Sequence, residues 1–382
     1  MKIFSRLFAL VLCLAVQMPV HAASAMPVAP TLAARSWMLY DVTSEQVLAA
    51  EKPDERAEPA SLTKLMTAYV VFDALKNKTI TLEQQVPVSE KAWRMVKSGS
   101  AMFIEPRRPV TVDELIHGMI IQSGNDASVA LAELVGGTEE NFAAMMNRTA
   151  ARLGLTGTHY KNATGLTEEG HYTTPRDLAK LASAIIHDFP QYFPIYSQKE
   201  YTYNKIKQPN RNRLLWADPS VDGMKTGHTD AAGYCLVSTA HRGQRRVISV
   251  VMGTVSESVR AQESMKLLNF GFAAYDTPRL YAANQPVRNV RVWQGKTNEV
   301  AAGFARDVFV AAPRDAAKDV KQEFVVNPQL VAPIAKGATV GTLKLSLGGQ
   351  VLGSYPVVAL QDVQQAGWFG RVWDSLRMKI GK

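Results

Sequence analysis

Two serines, each close to residues that can move protons or hold charge, mark where this chain could carry out chemistry. Three short strings occur once each: Ser61-x-x-Lys64, Ser123-x-Asn125 and Lys225-Thr226-Gly227. A serine hydroxyl is a poor nucleophile until a base accepts its proton. On a helix, residues three apart share a face, so the Ser61 hydroxyl and the Lys64 amine can meet. The strings predict a serine nucleophile with a lysine base, the requirement for acyl transfer.

The remaining groups in these strings suit the other steps of such a reaction. Lysine is a base only when neutral, which requires burial or a nearby cation, and Lys225 is a candidate for that cation. The Ser123 hydroxyl can both accept and donate, as a proton relay to a leaving amine must. At the start of its helix, Ser61 also brings a backbone N–H near the carbonyl under attack.

Substrate contacts are predicted from the second and third strings. The Asn125 amide could align a peptide bond, while Lys225 and Thr226 supply a charge and a hydroxyl for a terminal carboxylate. Gly227 would let the substrate approach the strand backbone. The backbone N–H of His228 is a candidate second oxyanion donor, with its imidazole incidental. Separately, each string has a simpler explanation, such as a helix cap at Ser61 or an exposed turn at Lys225; their order and combination favour a site.

The surrounding pattern predicts how these residues are positioned. A hairpin over 36–50 precedes a helix that starts after Pro59 and carries Ser61. Ser123 separates two helical patterns, 113–121 and 126–135. Strand patterns over 232–240 and 245–252 and a helix over 257–275 follow. Strands at both ends with helices between them predict an α+β fold, an antiparallel sheet covered by helices, over residues 26–278.

Two smaller regions follow this predicted domain. Residues 279–361 contain short strand patterns at 287–292, 307–311, 320–326, 339–346 and 351–358, which predict a small all-β sandwich domain. Residues 362–382 form an amphipathic helical pattern with an apolar stripe that includes two tryptophans, and with basic flanks. A terminal helix docked on the body is one interpretation; a helix lying in a membrane interface is favoured.

The N-terminus predicts export. Residues 1–25 combine a basic start, an apolar run and small residues, and fit a signal peptide cut after Ala22 or Ala25. The mature chain then keeps one cysteine, Cys235, in a buried-strand pattern where a core role is favoured over a reactive thiol.

The charge of the chain indicates which classes of binding partner are expected. The net charge is +9, but the basic residues are scattered, so a membrane surface or an anionic wall polymer is favoured over nucleic acid. Histidines such as His117, His159, His171 and His187 are isolated, which favours surface or satisfied core positions. No zinc-peptidase string occurs, and we expect neither a metal nor another cofactor.

With these residues in place, the chain resembles the low-molecular-mass penicillin-binding proteins of the D-alanyl-D-alanine carboxypeptidase group, peptidase family S11. The resemblance includes the strings 59–64, 123–127, 210–212 and 222–229, the β region and the tail. It implies that Ser61 is acylated, that Lys64 is the base and Ser123 the relay, and that the N–H groups of Ser61 and His228 form the oxyanion hole. Lys225 and Thr226 would engage the substrate carboxylate, helped by Arg211.

The same resemblance implies a substrate and a location. The expected reaction removes the terminal D-alanine from peptidoglycan stem pentapeptides and limits the substrate available for crosslinking. β-Lactams would inhibit by acylating Ser61, and the enzyme would lie on the periplasmic face of the inner membrane.

Three alternatives remain. A class A β-lactamase shares the strings but deacylates with a glutamate in an E-x-x-L-N loop, which this chain lacks. A D,D-endopeptidase or transpeptidase could use the same scaffold. A non-catalytic wall-binding module would require a lost catalytic group, and none is lost.

Overall fold

The computed structural model describes residues 26–380, so the predicted signal peptide, residues 1–25, lies outside the described residues. The helices, in chain order, are α1 Lys64–Lys76, α2 Glu90–Arg94, α3 Val112–Ile121, α4 Asn125–Gly136, α5 Glu139–Arg152, α6 Pro175–Asp188, α7 Leu214–Ala217, α8 Glu257–Ala274 and α9 Trp368–Ile380. None of these helices is both long and apolar enough to cross a membrane.

The strands fall into two larger sheets and several two-stranded ladders. In chain order they are β1 Ser36–Asp41, β2 Gln46–Glu51, β3 Gln85–Val86, β4 Val110–Thr111, β5 Glu200–Tyr203, β6 Ile206–Pro209, β7 Val221–Thr229, β8 Gly233–Arg242, β9 Arg245–Thr254, β10 Tyr275–Asp276, β11 Arg279–Tyr281, β12 Pro286–Arg291, β13 Glu299–Gly303, β14 Val308–Phe309, β15 Ala312–Pro313, β16 Lys321–Val326, β17 Thr339–Leu347 and β18 Gln350–Ala359.

The first large sheet is antiparallel, with strand order β2-β1-β9-β8-β7. It is buried on both faces: Trp37 and Leu39 of β1 pack with α8, whereas Met38 joins the core formed with α1, α3, α4 and α6. This alternation follows from the two-residue period of a strand. The predicted antiparallel sheet covered by helices is confirmed, and β7, which carries Lys225, is an edge strand.

The helical layer brings both serines to that edge. A 3-10 turn, Ala60–Thr63, runs directly into α1, most of whose residues are buried. Ser123 lies in the short connection between α3 and α4. Asp126 of α4 holds the 102–104 segment beside this helix, because its carboxylate accepts from the backbone N–H groups of Met102, Phe103, Ile104 and Ala127.

The C-terminal region contains a separate core beneath a second five-stranded sheet, with strand order β12-β13-β18-β17-β16. The predicted strands near 287–292, 320–326, 339–346 and 351–358 are confirmed. Strand β13 was not predicted, because its sequence Glu-Val-Ala-Ala-Gly lacks β-branched and aromatic alternation. The strand predicted over 307–311 is wrong in extent, since only Val308–Phe309 forms β14 there.

Candidate active site

Ser61 lies in the 3-10 turn at the start of α1, within reach of the first residue of that helix. The Oγ of Ser61 is 2.9 Å from the Nζ of Lys64. The turn packs directly on β7, because a Cβ added at Gly227 would come within 2.8 Å of the Pro59 carbonyl oxygen. Gly227 is therefore needed for the contact between turn and strand, a different reason from the substrate approach expected from the sequence.

Lys64 is 1% exposed and has three oxygen neighbours. Besides Ser61, its Nζ is 2.7 Å from the Oδ1 of Asn125 and 2.8 Å from the carbonyl oxygen of Thr164. These two oxygens can only accept, whereas the Ser61 hydroxyl can donate. In the neutral amine, two hydrogens reach these two oxygens and the lone pair faces the Ser61 hydroxyl, as a base requires; the charged amine donates to all three oxygens.

The pKa of Lys64 agrees with this geometry. Burial lowers it to about 7, against a smaller opposing effect of the Asp126 carboxylate. A base works best when its pKa is close to the working pH. Near pH 7, about half of the Lys64 side chains are therefore able to accept a proton.

The second serine also has a lysine partner. Nζ of Lys225 donates to Oγ of Ser123 at 2.8 Å and to the Thr226 carbonyl oxygen at 3.1 Å. Ser123 has a φ of 61°, in the left-handed region that is unfavourable for residues other than glycine. Such backbone strain persists only where the surrounding structure maintains it, and it is found most often at functional sites.

Lys225 is 2% exposed, and its pKa lies well below the ordinary value. Burial is the main cause, followed by the charges of Lys64, Arg260 and Arg211. The sequence had suggested that Lys225 would lower the pKa of Lys64; burial is instead the main cause of the shift at Lys64. Its contacts also place Lys225 behind Ser123 rather than on the open surface that a substrate carboxylate would meet.

A cleft of about 310 Å³ joins these groups. Apart from the two buried lysines, every candidate residue from the sequence lines it: Ser61, Ser123, Asn125, Arg211, Thr226, Gly227 and His228. Three strings separated by many residues in the chain therefore meet around one space. The exposed His228 ring stacks on Tyr234, with the ring centroids 3.9 Å apart.

Arg211 reaches the cleft because its neighbours are buried. Asn210 bonds to the carbonyl of Gln198 at 2.9 Å, and Asn212 bonds to the carbonyl of Gly223 at 2.9 Å. The Asn212 contact fixes the loop to β7, the Asn210 contact fixes it to the segment before β5, and Arg211 between them is exposed at the cleft.

A second arginine of the cleft was missed in the sequence. Arg260, in the first turn of α8, is 5% exposed, lies 3.4 Å from the carboxylate of Glu257 and donates to the Gly227 carbonyl oxygen at 3.4 Å. Its guanidinium carbon lies 5.5 Å from the centre of the Tyr234 ring. No string near Arg260 distinguishes it from a surface charge on an amphipathic helix. Thr164 was missed for another reason: it acts through its carbonyl, which every residue has.

The fold brings two serine–lysine pairs to one cleft, the arrangement expected of a serine-type enzyme. The chain belongs to the D-alanyl-D-alanine carboxypeptidase family: the model of that family matches residues 22–256, and the model of the penicillin-binding protein 5 C-terminal domain matches residues 275–365. The predicted family membership is confirmed.

Relatives cover nearly the whole chain. The D-alanyl-D-alanine carboxypeptidase DacC of Escherichia coli is 44% identical, over 92% of this chain and 90% of the relative. Penicillin-binding protein 5 from Haemophilus influenzae has a solved structure that is 40% identical, with a TM-score of 0.84, covering 89% of this chain and all of that one. The Streptomyces K15 DD-transpeptidase is more distant, 31% identical with a TM-score of 0.60, over 65% of this chain and all of that one.

Proposed function

We propose that this protein is an exported serine D-alanyl-D-alanine carboxypeptidase. It removes the terminal D-alanine from peptidoglycan stem pentapeptides through an acyl-enzyme on Ser61, and thereby limits the substrate available for crosslinking. The observation that carries this proposal is the Ser61 hydroxyl 2.9 Å from a buried lysine whose pKa is about 7, at a cleft lined by two arginines.

The reaction follows from these contacts. Neutral Lys64 takes the proton of Ser61 as Oγ attacks the carbonyl of the penultimate D-alanine, and the backbone N–H groups of Ser61 and His228 stabilise the oxyanion. Collapse of the tetrahedral intermediate breaks the peptide bond, and Ser123 relays the proton to the leaving amine. Water then attacks the ester, and its proton returns through Lys64 to Ser61.

The terminal carboxylate of the substrate needs a positive partner at the cleft. Arg211 and Arg260 both line the cleft, together with the Thr226 hydroxyl, whereas Lys225 is buried behind Ser123. We assign the carboxylate to the two arginines and Thr226, and Lys225 to the relay. Asn125 holds Lys64 through its Oδ1, and its Nδ2 donates to the carbonyl of Ser98 at 3.1 Å.

Among the alternatives, a class A β-lactamase would need a deacylating glutamate, and the loop that carries Thr164 does not provide one at the cleft. The two acidic residues of this loop, Glu168 and Glu169, are exposed and neither lines the cleft; Glu168 instead accepts from the Asn162 amide at 3.1 Å. Penicillin should therefore be released slowly. Rapid steady-state hydrolysis of a chromogenic cephalosporin would favour the β-lactamase.

A transpeptidase or D,D-endopeptidase would use the same acyl-enzyme. The likeness to a protein named DD-transpeptidase is the observation that favours the former. A transpeptidase passes the acyl group to an amine and gives a product extended by an added amino acid, whereas hydrolysis gives a free tetrapeptide. A D,D-endopeptidase also hydrolyses the acyl-enzyme, and differs in that its substrate is a crosslinked peptide.

One experiment tests the proposal against all of these. Mass spectrometry of a purified pentapeptide incubated with the enzyme should show loss of one alanine, abolished by prior treatment with penicillin. A Ser61→Ala protein that still released D-alanine would contradict the assignment. A protein that bound peptidoglycan without releasing alanine would instead be the non-catalytic wall-binding module.

We also propose attachment to the periplasmic face of the inner membrane through the C-terminal helix, after a catalytic domain over 26–278 and a β domain over 279–361. Support comes from the way α9 docks. Its polar side contacts the β domain, because Asp374 and Ser375 accept from the backbone N–H and the Nε2 of Gln294 at 2.7 and 2.9 Å. Its apolar side is left open, with Trp368 63% and Trp373 64% exposed. Exposed aromatic and basic residues on one helix suit an anionic membrane surface.

A further inference from the structure

The loop that supplies the Thr164 carbonyl packs tightly on the Ser61 turn. We name residues 159–172 the Thr164 loop; its ends pair through two backbone hydrogen bonds between His159 and Tyr172. At its apex, Thr164 accepts from Lys64, and the neighbouring carbonyl of Ala163 accepts from the Thr67 hydroxyl of α1 at 2.7 Å. A Cβ at Gly165 would overlap the backbone of Ala60, so no space separates the two segments.

One buried histidine links the base of this loop to the same turn. His171 is 4% exposed, and its Nε2 is 2.9 Å from the Oγ1 of Thr63, the residue before Lys64. Its Nδ1 accepts from the backbone N–H of Lys161 at 3.3 Å. The proton of the neutral ring is therefore on Nε2, which donates to Thr63.

The ring of His171 stays neutral over the working range of such an enzyme. Burial lowers its pKa to about 4; Glu168 opposes the shift and His159 adds to it. Tyr160 and Lys161 also lie beside this ring: the Tyr160 ring meets it edge-on at 5.7 Å, and Lys161 contacts it through its backbone N–H. His171 thus acts as a fixed donor and acceptor rather than as an acid or base.

We propose that His171 is a positioning residue of the acylation step: by joining the Thr164 loop to Thr63, it holds the Thr164 carbonyl against Lys64 Nζ. This inference rests on the proposed function, in which Lys64 is the base. If the link is lost, the loop can move away from the turn, water can reach Lys64, and the charged form of the amine becomes less costly. The Asp126 carboxylate, which opposes the effect of burial on the Lys64 pKa, is unchanged by the loss.

The test is the second-order rate constant for acylation by a fluorescent penicillin, measured from pH 5.5 to 9. His171→Phe keeps the ring shape but loses both hydrogen bonds; we expect the rate at pH 7 to fall about tenfold. The acid limb should also move up by about one pH unit. His171→Gln places its amide nitrogen near the position of the imidazole Nε2 and keeps the donor to Thr63, so it should stay within about twofold of the wild type. His159→Phe is the matched control: it removes a different hydrogen bond of the same loop, to the Gly170 carbonyl at 2.8 Å, and no contact to Thr63, so it should stay within about twofold of the wild type.

A second variant tests the same hydrogen bond if His171→Phe does not fold. Thr63→Val removes the acceptor without changing the shape, and should reproduce both effects. The double variant His171→Phe/Thr63→Val should be no slower than either single one, because both remove the same link.

Several results would overturn this role for His171. One is an unchanged acylation rate in both His171→Phe and Thr63→Val, and another is a slower rate in these variants with an acid limb that does not move. The role would also be refuted if His171→Gln were as slow as His171→Phe, or if His159→Phe lost as much rate as His171→Phe. A wild-type protein that penicillin does not acylate would instead refute the proposed function itself.

Discussion

Oγ of Ser123 and Nζ of Lys225 lie 2.8 Å apart, in a buried contact next to the pair formed by nucleophile and base. Because Lys225 donates to this oxygen, the hydroxyl hydrogen of Ser123 is free to point into the cleft. A leaving amine needs such a donor, and its protonation is separate from binding of the substrate carboxylate.

This separation predicts different kinetic effects for two cationic residues. Lys225→Met should lower kcat for D-alanine release by about 100-fold with a small change in KM, because it removes the partner of the relay. Arg211→Gln, an exposed change at the cleft, should mainly raise KM, since it weakens ground-state binding of a carboxylate. Steady-state kinetics on a pentapeptide measure both. A rise in KM alone for Lys225→Met would place Lys225 at the carboxylate instead.

The pKa of Lys64 sets the pH dependence of acylation. Only the neutral amine accepts the Ser61 proton, so the rate constant should fall about tenfold for each pH unit below about 7 and level off above it. Stopped-flow measurement with a chromogenic β-lactam gives the profile. A rate that stayed constant down to pH 5 would mean that Lys64 is not the base.

Gly227 tests the contact between the Ser61 turn and β7. Gly227→Ala should destabilise the fold by about 1–3 kcal/mol and slow acylation, because the added methyl group meets the Pro59 carbonyl. Gly367→Ala is the control, since a Cβ there meets nothing within 4 Å. Thermal unfolding and acylation rates compare the two. Equal stability and activity would show that the turn does not depend on close packing at Gly227.

The exposed aromatic face of α9 predicts binding to membranes. Trp368→Ser/Trp373→Ser should weaken sedimentation with vesicles containing phosphatidylglycerol by tenfold or more, on the order expected for removing two large apolar side chains. Trp216→Ser, at a tryptophan that is also half-exposed but lies in α7, should bind like the wild type. Full binding by the double variant, or by a protein truncated after Gln365, would refute this attachment.

Much of the site could be predicted from the sequence because its chemistry is carried by short strings. The spacing of Ser61 and Lys64 suits a single turn, and the apolar pattern after Pro59 indicates the helix that follows. The strand patterns at both ends of the domain predicted the antiparallel sheet, although the edge position of β7 is known only from the strand order. These features depend on residues close together in the chain.

Other parts of the site depend on contacts between distant segments. Arg260 lies far from the three strings in the sequence, and only the packing of α8 on the sheet brings it to the cleft. His171 is isolated from other polar motifs in the sequence, and its contact with Thr63 exists only because the Thr164 loop packs on the Ser61 turn. The low pKa of Lys64 arises because several elements bury its side chain, and a local sequence pattern does not predict that burial.

The central claim is that Ser61 becomes the acyl-enzyme, and peptide mapping tests it most directly. The protein should be treated with penicillin, quenched, digested and analysed by mass spectrometry. We predict one adduct, on Ser61, and none in Ser61→Ala. An adduct on Ser123 or elsewhere, or an unmodified Ser61 in a protein that releases D-alanine, would contradict this account.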